Sequence, residues 1–270
     1  MTDEELLQGY VGDMRFRALQ PSTIETRVRY IRKYIKEVGV QTATEQKIVL
    51  WLSRPISAKT RSMWISTLNS LYVWINHNHL LADTPMGDGW NPVSDVGKPR
   101  LHARSPRPMP NDDLQRALQL ADTRMRTWLI LGALEGLRCM EICGLAREDI
   151  REDTMVLRII GKGSKERFLP LHPDTLAALQ EFGLPAEGRL WASETPASVS
   201  RKINRFLHGQ VGTKYTAHTL RHKFGSAIYA ECRDLRATQE LMGHSSPQTT
   251  AGYAAVVPGE AAGIVGALKL

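Results

Sequence analysis

Long apolar runs are missing from this 270-residue chain: none approaches the ~20 residues needed to cross a bilayer, and mean hydropathy is −0.28. The opening MTDEELLQGY is acidic and polar, so it has no look of a signal peptide. Cysteine is scarce. Three of them (Cys139, Cys143, Cys232) cannot build a disulfide framework, which fits a reducing cytoplasm. Glycine and proline number 21 and 14, too few for a collagen-like chain, and 42% hydrophobic residues exclude a wholly disordered one. Internal repeats and low-complexity tracts are absent as well. What is present is charge: 35 Lys+Arg against 28 Asp+Glu, a surplus of +7 and a pI near 9.4. Such a surplus is compatible with an anionic partner but does not establish one.

Six of the fourteen prolines fall between Pro85 and Pro110, interleaved with Gly87, Gly89, Gly97 and the cations Lys98, Arg100, Arg104 and Arg107. Proline removes backbone donors and drives the preceding residue out of the helical region, so this stretch reads as an extended basic linker. The expected organisation is a helical domain over 1–84, a linker over 85–110 and a second domain over 111–270. The charge divides evenly, +4 through residue 104 and +3 beyond it.

In the first domain, Ser22-x-x-Glu25 after Pro21 predicts a capped helix with Ile24, Val28, Ile31 and Ile35 on one stripe. Arg29, Arg32, Lys33 and Lys36 lie roughly opposite. Thr42-x-x-Glu45 predicts the cap of a short second helix. Ser57 caps a third, with Lys59 and Arg61 at its start and Trp64, Leu68, Leu71 and Ile75 inward. The second domain mixes types. Asn111 or Asp112 can cap a helix, and residues 123–135 continue helically. Met155–Ile160 and Arg167–Leu169 flank a Gly161-Lys162-Gly163 turn and read as a β-hairpin. Helices resume after Pro173. The fold class is therefore mainly α with one small antiparallel β-sheet (α+β).

Metal and nucleotide chemistry find no support. Cys139 and Cys143 have no zinc-spaced partners and read as buried helical thiols. His218 and His222 stand four apart, but Thr-Leu-Arg lies between them, without the glutamate that would act as base in a zinc hydrolase. Gly161-Lys162-Gly163-Ser164-Lys165 lacks the Gly-Lys-Ser/Thr order of a phosphate loop. No metal and no cofactor is expected.

What remains is an ordered set of cations and a phenol. Arg138 follows Gly136-Leu137 and precedes Glu141 by three. Lys162 occupies the predicted hairpin tip. His218 and Arg221 share a helix face, Gly243-His244 follows, and Tyr253 comes nine residues after His244. Singly, each has an ordinary explanation: a surface charge, a solvated tip, a packed ring. Together, residues 217–254 (AHTLRHKFGSAIYAECRDLRATQELMGHSSPQTTAGYA) resemble the carboxy-terminal block of the tyrosine recombinase, or phage integrase, family. GLRCMEICGL at 136–145 is similar to the block of the first catalytic arginine, and IIGKGSKERFLPLH at 159–172 to the hairpin with the catalytic lysine. Met242 replaces the usual leucine before Gly-His, a volume-conserving change.

The resemblance implies that Tyr253 attacks a DNA phosphate to form a 3'-phosphotyrosyl link, with Arg138, Lys162, His218, Arg221 and His244 as the other catalytic residues and Glu141 orienting Arg138. It implies a helical core-binding domain that, with the catalytic domain, clamps duplex DNA, so that Arg29, Arg32, Lys33, Lys36, Lys59, Arg61, Lys98 and Arg100 become candidate phosphate contacts. Further implications are a homotetramer on synapsed sites, a Holliday junction, accessory directionality or DNA-bending proteins, and a bacterial cytoplasmic or nucleoid location without membrane contact. The helical pattern starts within about twenty residues of Met1, so an arm-binding domain is not expected. The expected activity is integration and excision of a phage or mobile element by a short integrase. Xer-like dimer resolution, type IB topoisomerase-like relaxation and a non-catalytic DNA-binding regulator are the alternatives. The apolar tail after Ala254 packs either on its own domain or on a neighbouring protomer.

Overall fold

The computed structural model describes residues 1–84, 87–100, 107–161 and 165–243, and its contacts divide the chain into two units, Met1–His102 and Ala103–Leu270. The first unit holds four helices among its described residues: α1 (Asp3–Phe16), α2 (Pro21–Glu37), α3 (Glu45–Leu52) and α4 (Ala58–His77). A reciprocal box starts α1, where Thr2 N–H donates to Glu5 at 2.6 Å and Glu5 N–H to Thr2 Oγ1 at 3.2 Å. Ser57 caps α4 as its sequence suggests, accepting from Thr60 N–H at 3.1 Å.

Two expected caps fall elsewhere. Helix α2 begins at Pro21, where a missing N–H costs nothing, so Ser22 lies inside the first turn and Gln20 occupies the cap position without a side-chain bond. Helix α3 is capped by Thr44, while the Thr42 hydroxyl donates back to Val38 C=O at 2.6 Å.

Leu6, Tyr10, Ile31, Tyr34, Leu68 and Tyr72 fill this unit's core. Tyr34 and Tyr72 share a buried hydroxyl–hydroxyl bond of 2.7 Å, and Tyr72 donates onward to Val40 C=O at 2.9 Å. Trp51 and Trp64 stack at 4.5 Å between centroids. The stretch expected to be an extended linker from residue 85 departs from that reading: Val93 is buried in this core, and Trp90 and Val96 pack against it. Their apolar side chains outweigh the proline content in deciding where the segment goes.

The second unit contains α5 (Asn111–Leu120), α6 (Thr123–Leu134), α7 (Cys139–Gly144), a 3-10 turn at Arg147–Asp149, and strands β1 (Ile150–Arg151), β2 (Val156–Ile160) and β3 (Glu166–Pro170). After them come α8 (Pro173–Phe182), α9 (Pro196–Gln210), α10 (Ala217–Cys232) and α11 (Leu235–Met242). The sheet is antiparallel in the order β1-β2-β3, with Ile160 opposite Glu166 and Leu157 opposite Leu169. Pro110, not Asn111 or Asp112, holds the cap position of α5; Asn111 instead accepts from Lys223 Nζ of α10.

Helix α6 is apolar on nearly every side and is the axis of the unit, with Trp128, Leu129 and Leu131 fully buried, each worth roughly 1.5–3 kcal/mol. It packs against α8 and α10. Gly132 permits the close approach of α10, since a Cβ there would stand 3.1 Å from that of Leu220. Among the described residues, no helix is long and apolar enough to cross a membrane.

Candidate active site

The centre of the second unit is a carboxylate. Helix α6 ends at a turn in which Gly136 adopts φ +64°, and a Cβ there would lie 2.3 Å from Phe224 Cδ1. Only glycine meets both demands. The turn directs Leu137 into the core and leaves Arg138 at the cap position of α7. Three residues on, one helical turn returns Glu141 to the same place. Its side chain is wholly buried and accepts from the Arg138 backbone N–H at 2.8 Å and from Arg138 Nη1 at 2.8 Å.

Two further guanidiniums converge on it. Arg167 of β3 donates in the two-pronged manner, Nη1 to Oε1 at 2.9 Å and Nη2 to Oε2 at 3.1 Å. Arg221 of α10 brings Nη1 within 3.8 Å of Oε2. Burial acts to raise the Glu141 pKa, but the hydrogen bonds and charge of Arg167, followed by those of Arg138, outweigh it and hold the carboxyl down at about 2. The cluster thus sets three guanidiniums against one ionised carboxylate, a surplus of two positive charges.

The same arginines reach the end of α11. Arg138 Nη2 donates to Gly243 C=O at 3.3 Å; Arg221 donates to Met242 C=O and to Gly136 C=O. His218, one turn before Arg221, is exposed where Arg221 is buried, and its ring lies 6.4 Å from that of His222. The His222 imidazole has its pKa lowered, by burial first and then by His218 and Arg221. Gly161 N–H donates to Lys165 C=O at 2.8 Å across the base of the expected hairpin. Lys162, His244 and Tyr253 lie outside the described residues.

Arg138, Glu141, His218 and Arg221 are therefore brought into one region, and Arg167 joins them without having been singled out from sequence. Its signal was strand alternation: with Leu169 facing the core, Arg167 two residues earlier faces the same way, and an arginine on the inward face of a strand needs a partner.

In the first unit, Arg29, Lys33, Lys36, Lys59, Lys98 and Arg100 are exposed. Arg29 lies 5.2 Å over the Tyr30 ring and Lys33 lies 5.6 Å over Trp64. Arg32 pairs with Glu4 at 3.7 Å. Arg61 is half-buried and donates to Leu52 C=O at 2.8 Å and Arg54 C=O at 3.4 Å, which ties it to the end of α3. Among the described residues, no group of three or more His, Cys, Asp or Glu is placed to hold a metal.

The phage integrase family model matches residues 107–259, more than half of the chain. The chain belongs to the phage integrase family of tyrosine recombinases. It is a site-specific recombinase. Tyrosine recombinase XerC of Myxococcus xanthus is 29% identical over 230 residues, covering 76% of this chain and 74% of that protein. XerC of Xylella fastidiosa strain M23 is 30% identical over 216 residues, covering 74% and 71%. The recombinase shares its fold with a lambda integrase dimer bound to a COC' core site (TM-score 0.72, 18% identity, 94% and 77% covered). It also shares it with the XerH recombinase bound to difH substrate (TM-score 0.68, 19% identity, 94% and 81% covered).

Proposed function

We propose that this recombinase cuts and rejoins duplex DNA at short core sites by a tyrosine-phosphate intermediate, and that its biological task is integration and excision of a phage or other mobile element. The Tyr253 phenol oxygen attacks the phosphorus, the bond to the 5'-oxygen breaks, and the 3'-phosphate stays on the enzyme as a phosphotyrosyl ester. The energy of the broken bond is kept in that ester, so the reverse attack by a 5'-hydroxyl from a second duplex rejoins the strand without ATP. A free phenol has a pKa of about 10, so a proton must leave Tyr253, and His218 is the group for that transfer. Lys162 delivers a proton to the departing 5'-oxygen, a role worth roughly 10² to 10⁴ in rate. His244 hydrogen-bonds the phosphate.

The observation that supports this reading best is the arginine cluster around Glu141. As phosphorus becomes five-coordinate, charge accumulates on its non-bridging oxygens, and each preorganised donor aimed at that charge is typically worth roughly 3 kcal/mol. Arg138 and Arg221 are held by a buried ionised carboxylate and by backbone carbonyls. The exposed cations of the first unit then hold flanking phosphates. Two successive strand exchanges, through a Holliday junction in a tetramer, complete the reaction in the cytoplasm of a bacterial host. The XerC relatives favour a second task, resolution of chromosome or plasmid dimers.

The test begins with selecting bound duplexes from a random library to recover the core site. A duplex of that sequence, nicked near the cleavage point, should trap the wild-type protein as a covalent adduct; Tyr253→Phe should bind equally and trap none. Absence of any wild-type adduct on the selected site overturns the proposal. Relaxation of supercoiled plasmid lacking the site turns it toward a topoisomerase. Joining of two separate plasmids, against resolution of direct repeats on one plasmid, distinguishes integration from dimer resolution.

A further inference from the structure

The residues assigned to the reaction leave Arg167 without a task, although it lies nearer the middle of the site than any surface cation. Three observations bear on it. Its guanidinium takes both oxygens of Glu141, at 2.9 and 3.1 Å, and so fixes the rotation of a carboxylate that also receives Arg138. The residue stands on β3, just past the hairpin base closed by Gly161 and Lys165, and Gly161 packs beside it, with a Cβ there falling 3.8 Å from Arg167 Nη1. Gly243 is also against it: a Cβ at that position would lie 3.0 Å from Arg167 Cδ and 3.0 Å from Nη1, tighter than most side-chain contacts, so the guanidinium would have to give way by a few tenths of an ångström.

Gly243 is the residue immediately before His244, has φ +61° and gives its carbonyl to Arg138. Arg167 therefore touches the first arginine block through Glu141, the lysine hairpin through its own strand and Gly161, and the Gly-His block through Gly243. Its cost argues against a purely stabilising role. The side chain is 14% exposed, yet Nε is buried with no partner among the described residues. A buried donor left unmade is a penalty of roughly 1–3 kcal/mol that an apolar residue would avoid.

We infer that Arg167 is a positioning residue for strand cleavage, a flat strut that fixes Glu141, and through it Arg138, while forming the surface on which the glycine before His244 is seated. A glycine at residue 243 suits this arrangement, since its backbone is left-handed and a side chain there would press the guanidinium out of place by a few tenths of an ångström. The requirement is for shape as much as charge: a lysine supplies one point charge and cannot hold both carboxylate oxygens in one plane.

This inference rests on the cleavage reading above, and its test separates the two. Single-turnover adduct formation on the nicked core duplex is measured at saturating protein, alongside the dissociation constant for the uncleaved duplex. The wild type must form adduct; if it does not, the cleavage reading fails and this inference with it. Given wild-type cleavage, Arg167→Gln should slow adduct formation 30-fold or more while changing DNA affinity less than threefold. Arg167→Lys, which keeps the charge and guards against misfolding of the neutral variant, should recover only part of that loss. With Glu141→Gln already present, adding Arg167→Gln should slow cleavage less than threefold further, because both act through one carboxylate. Full-rate cleavage by Arg167→Lys, equal losses in rate and affinity, or a double variant whose losses multiply would overturn the inference and leave the cleavage reading standing.

Discussion

Replacing Glu141 by glutamine keeps its shape and removes its charge from beneath three guanidiniums. The carboxyl titrates at about 2 rather than at the ordinary 4.5, a gap worth ~3 kcal/mol in favour of the ionised form. The side chain is fully buried, so solvent screening takes little from that figure. Its folded pKa lies below its unfolded one. The stabilisation is therefore complete above pH 4.5 and is lost as pH falls toward 2. Glu141→Gln should cost ~3 kcal/mol of second-unit stability at pH 7, at the lower edge of the roughly 3–5 kcal/mol seen when one member of a buried ion pair is removed. The deficit should fall by about half by pH 3, because the unfolded carboxyl is by then almost wholly protonated while the folded one stays mostly ionised. Urea unfolding of the full chain at pH 7, 4.5 and 3, read by hydrogen exchange in segments from α7 and β3, reports this unit separately from the first. A deficit under ~0.5 kcal/mol at pH 7, or one unchanged at pH 3, would refute the argument that the carboxylate is the electrostatic keystone of the arginine cluster.

Gly136→Ala combines a left-handed backbone with a Cβ driven into Phe224, and should destabilise the second unit by ~2–4 kcal/mol in the same urea assay, with Phe224→Leu recovering part of the loss. Arg29→Gln with Lys33→Gln should weaken binding to specific and random duplex alike and flatten the plot of log affinity against log salt by ~0.9 for each phosphate that is no longer neutralised, as fluorescence anisotropy would record. An unchanged slope would place the DNA path elsewhere on the first unit.

The apolar stripe of α2 and the hairpin strands could be read from sequence because their periodicity is local. The start of α2 could not: Ser22 and Pro21 compete for the same turn, and proline wins by needing no partner for an N–H it lacks. Likewise the Thr42-x-x-Glu45 box pointed two residues too early: the Thr42 hydroxyl is taken by Val38 C=O, and Thr44 caps α3 by accepting from Lys47 N–H. The proline-rich stretch misled because composition describes the backbone and not the destination of Trp90, Val93 and Val96. In the site, the motifs supplied Arg138, Glu141, His218 and Arg221. Arg167 was hidden because its partner lies 26 residues earlier and its approach to Gly243 depends on a side chain that glycine does not have. Position 61 shows the converse: an arginine placed by sequence on a basic face spends its guanidinium on the carbonyls that end α3.

The tryptophans are distributed so that each unit carries its own optical reporter. Trp51 and Trp64 form a stacked pair in the first, with Arg54 over both rings and Lys33 over Trp64, while Trp128 and Trp191 meet edge-on in the second. A cation resting on an indole tunes its emission, and a polyanion that draws the exposed Lys33 away removes that influence, while Arg54 stays held by Glu37 at 2.6 Å and by Trp51 C=O at 2.7 Å. If the proposed contact of Lys33 with a phosphate backbone forms, the intrinsic emission of the first unit should change on adding duplex, and the Lys33→Gln variant should lose that change.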